Sequence, residues 1–253
     1  MNVTLLQKPG PLTTPHFGAN LENEFSQLQS NLTARAKFVG TSKKGWTRAQ
    51  ISGEDEEIYA ELLVRKFGVA HENFDEVELQ AVYDGVAVDS NTEDLEVDLG
   101  IDTPHPLNAT IPLSALRAQL ADGRQVAYRD ITESYCLSPG MKISIRITDK
   151  NPRRIEGWLS DEEINRFSDW LQTGLDRIIV FDCFKEQLES AIAKAQLSRD
   201  IISVESVALT THVAICKLGT DAIGLMPKLG SCLRKRALKP FIPKRIIARC
   251  RPW

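Results

Sequence analysis

The stretch LSPGMKISIRITDKNPRRIEGWLS, residues 137–160, gathers Lys142, Arg146, Arg153 and Arg154 around a lone aromatic, Trp158. Lysine meets phosphate as a point charge and arginine as a planar fork, and an indole offers a face on which a base can stack. The chemistry this combination suits is the holding of single-stranded nucleic acid. With a turn centred near Asn151, Ser144 falls opposite Trp158 and Arg146 opposite Glu156. Trp158 then has Lys142 and Arg146 as diagonal neighbours. The competing reading has Glu156 neutralising Arg146 and Trp158 packed under a helix that starts at Ser160.

A second group of cations closes the sequence. Lys228, Arg234, Lys235, Arg236, Lys239, Lys244, Arg245, Arg249 and Arg251 follow one another with no acid among them. On a chain of net charge −3 they form a localised positive patch if they share a surface. The competing reading is a solvated basic helix and terminus.

Catalysis finds less support. No phosphate-binding loop, zinc-protease or nucleophile-elbow spacing is present. Asp94 with Glu96, and Glu56 with Glu57, are paired acids, but acids alternating on a strand are usually its wet face. Asp98 near Asp102 is the carboxylate pair weighed as a metal site. His212 and Cys216, four apart on a strand, share a face and read as core residues rather than base and nucleophile. The five cysteines include no C-x-x-C pair and the four histidines lie far apart. Reduced, mostly buried thiols are expected, with no cofactor, no metal and no enzymatic activity.

The elements that must position these residues follow from periodicity. Residues 3–7 read as a strand. A loop containing Pro15 and Gly18 leads to a helix over 21–32, with Leu21, Phe25, Leu28 and Leu32 on one side. Strands follow over 33–39 and 46–52, then a helix that ends at Gly68. The middle of the chain alternates with period two, in E-V-E-L-Q-A-V-Y-D-G-V-A-V, D-L-E-V-D-L-G and A-T-I-P-L-S. A polar, irregular stretch runs to about Tyr135 and ends in the hairpin, where Met141, Ile143, Ile145 and Ile147 share the inner face. Ser160-Asp161-Glu162-Glu163 is a capping box that opens a helix. The last third repeats the first rhythm: a strand over 178–181, a helix through Phe184, Leu188 and Ile192, strands over 203–209 and 212–217, a basic helix over 229–238 and a final strand over 242–249. Five short strands in the middle suggest an OB-type barrel.

No run approaches the roughly 20 apolar residues of a membrane helix, and no secretory leader is visible. The expected location is the cytoplasm, with no membrane partner.

Residues 85–160 resemble an S1-type OB domain through Y-D-G-V-A-V, D-L-E-V-D-L-G, I-P-L-S, L-S-P-G-M-K-I-S-I-R-I-T-D and R-R-I-E-G-W-L-S. The resemblance implies an RNA-binding barrel with stacking aromatics on its second and third strands. Here those strands carry Leu95, Val97, Leu99, Ile111, Pro112 and Leu113 instead, so the usual stacking platform is missing. Residues 198–230 resemble an archaeal family known only as a domain of unknown function. That likeness implies an archaeal source and no established activity.

The fold expected is α+β: an S1-like OB β-barrel flanked by two small α/β domains, with boundaries at 1–75, 76–172 and 173–253. The function expected is non-catalytic binding of RNA or other single-stranded nucleic acid, in archaeal transcription or translation. RNA polymerase or ribosome components would be the protein partners. The contact residues expected are Lys142, Arg146, Arg153, Arg154, Trp158, Arg234, Lys235, Arg236, Lys239, Lys244 and Arg245. The alternative is a protein-interaction scaffold whose barrel no longer binds nucleic acid.

Overall fold

The computed structural model describes residues 1–29, 32–233 and 236–251. The first unit comprises β1 (Asn2–Leu5), α1 (Thr14–Gln29), β2 (Ala34–Thr41), β3 (Thr47–Gly53) and α2 (Glu56–Phe67). Its sheet is antiparallel, in the order β1-β3-β2. Ala34, Ala36 and Phe38 turn one face of β2 toward Phe17, Leu21 and Phe25 of α1 and toward Tyr59, Leu63 and Phe67 of α2. α1 begins at Thr14, where a loop was expected. A proline in the first helical turn loses only an N–H that has no helical partner. Phe17, Leu21 and Phe25 then form one buried stripe at i, i+4 and i+8. Gly68 ends α2 at a φ of 75°, a region in which a Cβ would be strained.

The middle unit contains β4 (Val82–Val88), β5 (Leu95–Asp98), β6 (Ala109–Ile111), α3 (Leu113–Leu120), α4 (Tyr128–Ser134), β7 (Lys142–Asn151), β8 (Arg154–Leu159) and α5 (Asp161–Thr173). Its strands close as a barrel in the order β4-β5-β6-β8-β7, with β7 pairing back onto β4. The β6–β8 pairing is parallel, and the others are antiparallel. Closure leaves no open sheet edge. A Cβ at Gly85 would lie 2.4 Å from Val97 Cγ1 and 2.8 Å from Leu99 Cδ2, so β4 and β5 approach closely only because this residue is glycine. The stretch expected to be irregular up to Tyr135 holds two helices, α3 and α4. Each is too short to show more than one repeat of an apolar stripe, and they bury Leu116, Leu120 and Ile131. Ser160 caps α5, its Oγ accepting from the Glu163 N–H at 3.2 Å, but the expected capping box is not completed: the Ser160 N–H donates to the Ser144 carbonyl at 2.9 Å, and the Glu163 carboxylate turns to the Ser144 N–H and Arg166.

The last unit is β9 (Arg177–Val180), α6 (Lys185–Lys194), β10 (Ile201–Ala208), β11 (Thr211–Cys216), α7 (Ala222–Leu233), β12 (Leu238–Phe241) and α8 (Pro243–Cys250). Its sheet order is β10-β11-β9-β12. The segment β9-α6-β10-β11-α7 therefore repeats the order and pairing of β1-α1-β2-β3-α2, with β12 added beside β9. Two expectations are corrected. The helix expected over 229–238 ends at Leu233, and Leu238 opens a strand. The strand expected over 242–249 is α8. Pro243 suits the first helical turn, and Ile246 and Cys250, four apart, are buried together.

The central strands of the C-terminal sheet, β9 and β11, are buried on both faces, while β10 is largely exposed. Ile178, Val180, Ala214 and Cys216 pack against α6 and α7. Ile179, Phe181, Val213, Ile215 and Phe241 join the same core as the barrel interior, with Phe167 and Trp170 of α5 between them. Asp182 ties this unit to the first. Its carboxylate accepts from the Leu12 N–H at 2.6 Å, the Thr13 N–H at 3.1 Å and the Thr13 hydroxyl at 2.7 Å, placing negative charge at the N-terminal end of α1. No helix among the described residues is long and apolar enough to cross a membrane.

Candidate functional site

The hairpin β7–β8 folds as its alternation requires, with Ile143, Ile145, Ile147, Ile155 and Leu159 inward. Its register differs from the one expected. Ile145 pairs with Leu159, Arg146 with Trp158 and Ile147 with Gly157, and a bulge at Thr148 then brings Asp149 opposite Glu156. The loop is Pro152-Arg153, between the paired Asn151 and Arg154. The turn is centred between Pro152 and Arg153 rather than on Asn151, which shifts every pair, and the bulge, one extra residue on β7, changes the register by one step beyond it. Arg146 therefore lies beside Trp158, and Lys142 lies further along the strand.

Val82 of β4 pairs with Arg146 on the other side. Val82, Arg146 and Trp158 thus form one row across three strands on the outside of the barrel. Val82 and Trp158 are each 45% exposed. Trp158 is not packed under α5, whose buried aromatics are Phe167 and Trp170. Arg146 is held between its neighbours by Asp161, at 2.8 Å, and by the Gln80 carbonyl, at 3.2 Å. Glu156 does not neutralise it, being paired with Arg154 at 2.8 Å. Lys142 pairs with Asp84 at 2.7 Å. Arg153 is exposed at the hairpin tip and forms no ion pair among the described residues. Of the five hairpin cations, Lys142, Arg146 and Arg154 are matched by a carboxylate, and Lys150 donates to the Val77 carbonyl at 2.5 Å.

The outer face of β5 and β6 is different. It presents Glu96, Asp98 and Thr110, and the first unit docks on part of it. Asp98 is 2% exposed and accepts from Lys8 at 2.6 Å, from Lys44 at 2.7 Å and from the Gly100 N–H at 2.9 Å. Lys44 also reaches the Leu107 carbonyl and the Asn108 side chain, and Lys8 sits 4.0 Å above the centre of the buried Trp46 ring. Burial pushes the Asp98 carboxyl up, but the hydrogen bonds and charges of Lys44 and Lys8 outweigh it and hold the group below its ordinary value. The residue weighed as a metal ligand is thus a doubly paired carboxylate at a contact between units.

The basic tail is dispersed. Arg234 and Lys235 lie outside the described residues. Arg236 donates to the Asp182 carbonyl at 2.8 Å, the Leu233 carbonyl at 3.0 Å and Gln187 Oε1 at 2.8 Å, so its guanidinium fastens α7 to its surroundings. Arg249 pairs with Asp130 of α4, and Arg251 donates to the Gln119 carbonyl at 2.7 Å. Lys239 is half-buried on β12, and Lys244 and Arg245 are exposed on α8. None of these three forms an ion pair among the described residues. The helix α5 touches both β7 and α8, so it lies between the hairpin and the exposed pair on α8.

Cys136, Cys183, Cys216 and Cys250 are buried, and burial pushes the thiol of Cys136 up to about 12 and those of Cys183 and Cys216 to about 11. His212 faces Ser206, with Nδ1 and Oγ 3.0 Å apart. Both line a cleft of about 710 Å³ between α1, α2, α6 and the β10–β11 hairpin. Among the described residues, no three His, Cys, Asp or Glu side chains converge as metal ligands.

Sequence reading missed the row Val82–Arg146–Trp158, because it depends on where the turn and the bulge fall and on the closure of β7 onto β4. It also missed the Asp98 pairing, whose lysines come from the first unit. Residues 175–239 match the family described as the DUF2110 C-terminal domain, about a quarter of the chain. The match begins just before β9 and ends within β12, so it covers the βαββα segment of the last unit. It agrees with the likeness of residues 198–230 to a domain of unknown function and carries no activity. No curated protein matches the chain.

Proposed function

We propose that the barrel is an S1-type OB domain and that the protein is a non-catalytic binder of single-stranded nucleic acid, RNA foremost, in the cytoplasm of an archaeal cell. The observation that carries this reading is the row Val82–Arg146–Trp158, with an exposed indole beside a guanidinium fixed by Asp161 and Gln80. The strand order supports the OB assignment: first to second to third, then fifth and fourth, with third and fifth parallel. Bound there, a base stacks on Trp158. Arg153 meets phosphate at the hairpin tip, with Lys142, Arg146 and Arg154 beside the path. Lys239, Lys244 and Arg245 extend the contact beyond α5. Transcription or translation complexes are the setting in which such a binder would meet RNA polymerase or the ribosome.

Because three hairpin cations are already neutralised, binding at the hairpin is led by stacking. Trp158→Ala should cost roughly 1–3 kcal/mol of RNA affinity. Arg153→Gln should lower the salt dependence by about 0.7 in log–log slope. Titration of labelled oligouridylate at several salt concentrations reads both, and a Trp158→Ala variant that binds as tightly as the parent chain removes the reading.

A second reading has support in the same neutralised cations. Val82, Trp158 and the 56% exposed Leu79 also suit a protein partner on a scaffold whose barrel has given up nucleic acid. Affinity capture with and without nuclease separates the two: RNA-bridged partners are lost on digestion and direct partners remain.

A further inference from the structure

The helices α1 and α2 cover one face of the β1-β3-β2 sheet, and the other face is open. Its outward positions are Asn2 and Thr4 on β1, Arg48, Gln50 and Ser52 on β3, and Arg35, Lys37 and Val39 on β2. None is acidic. Residues 25–53, which include β2 and β3, contain five cations and no acid. Three of those cations are engaged elsewhere: Lys44 with Asp98, Lys43 with Asp102 at 3.9 Å, and Arg48 with Glu72 at 2.9 Å at the rim toward the barrel. Arg35 and Lys37 are exposed and form no ion pair among the described residues.

We infer that this open sheet face is a second contact surface, for the phosphodiester backbone of single-stranded nucleic acid. Arg35 and Lys37 lie two residues apart on one side of β2, about 6.7 Å along the strand. That repeat suits successive phosphates of an extended chain. The register places hydrogen-bonding side chains beside them, with Gln50 between Lys37 and Asn2, and Ser52 opposite Arg35. The face has no aromatic ring, so it grips backbone and reads no base. An edge strand carries lysine simply to discourage pairing with another chain. That accounts for cations on β2 as such, and Arg48 is paired with Glu72, but neither explains the hydrogen-bonding Gln50 and Ser52 beside them on the central strand, nor the lack of any acid among the outward positions. The inference stands apart from the barrel reading, since the two surfaces belong to different units and use different chemistry.

The test uses the full chain and fluorescein-labelled oligouridylate, titrated by anisotropy at several salt concentrations. Arg35→Gln with Lys37→Gln should lower the log–log salt slope by about 1.4, at about 0.7 for each phosphate contact. Trp158→Ala should leave that slope unchanged. In the unmutated chain, oligouridylate should protect Lys37 from acetylation, a readout that does not depend on the double variant folding. An unchanged slope in a folded double variant overturns the inference, as does unprotected Lys37. Polyglutamate that protects Lys37 as well as RNA does overturns the choice of nucleic acid as partner. Loss of slope in the double variant with no loss of affinity in Trp158→Ala keeps this surface and removes the barrel reading, and the opposite pattern does the reverse. Absence of any RNA binding at low salt removes both.

Discussion

Replacing Asp98 with asparagine tests whether the first unit is fastened to the barrel by charge. The carboxylate is almost wholly buried, while Lys8 and Lys44 are 30% and 14% exposed at the side chain. Breaking a buried pair by removing one partner costs about 3–5 kcal/mol, because the remaining charge stays buried without its counterion. Lys8 retains access to water and to the Trp46 ring, and asparagine keeps an oxygen for the Gly100 N–H. The loss should therefore be about 2–3 kcal/mol at neutral pH, or roughly 4–12 °C in melting temperature for a chain of this size. The pH dependence supplies the sharper test. Folding depresses this carboxyl, so its contribution is full above the unfolded value near pH 4 and fades as pH falls through the lower folded value. Urea denaturation followed by tryptophan fluorescence at pH 7 and below pH 4 should show a gap between parent and Asp98→Asn that narrows in acid. A gap of the same size at both pH values would refute the electrostatic account, and a gap under about 0.5 kcal/mol at pH 7 would refute the fastening.

Glu163 should behave in the opposite sense. Burial pushes its carboxyl up to about 7 against the opposing charge of Arg166, so the folded state holds a proton that the unfolded chain has released. Stability should fall by something on the order of 3 kcal/mol as pH rises from about 4.5 to above 7, and Glu163→Gln should flatten that limb in the same denaturation series. A methyl group at Gly85 has no room against Val97 and Leu99. Gly85→Ala should cost about 1–3 kcal/mol, read from the urea midpoint, with the secondary structure retained by circular dichroism.

Much of the architecture could be read from the chain because the periodicities are clean. Ile143, Ile145 and Ile147 alternate without a break and emerge as buried barrel residues. The βαββα order was visible twice, and the structure adds that its strands also pair alike. What escaped has identifiable causes. Seven- and eight-residue helices such as α4 and α3 offer too few turns for a stripe to stand out. α8 hid because Ile246 and Ile247 are adjacent, which blurs a period of 3.6 into a strand-like run. The candidate surface was half legible. Trp158 and its cations were evident, but the partner of each cation was set by the true position of the turn, by the bulge and by residues distant in sequence, such as Asp84 and Gln80. The acid-free interval around Arg35 and Lys37 was not singled out in the sequence, because it acquires meaning only once β2 and β3 share an uncovered face.

The shared core of the barrel and the C-terminal sheet has a consequence for how the chain is made. The barrel strands are complete once Leu159 has been synthesised, and Tyr135 already meets one side of Phe167, yet Phe167 and Trp170 of α5 gain their other aromatic neighbour in Phe241, at the end of the last strand of the C-terminal sheet. Ile246 and Cys250 close the same core later still. A nascent chain halted after α5 thus presents a finished barrel with a greasy flank, a surface that invites chaperones and aggregation. The flank is buried only when α8 has docked, so the core of the barrel and the core of the C-terminal sheet close together.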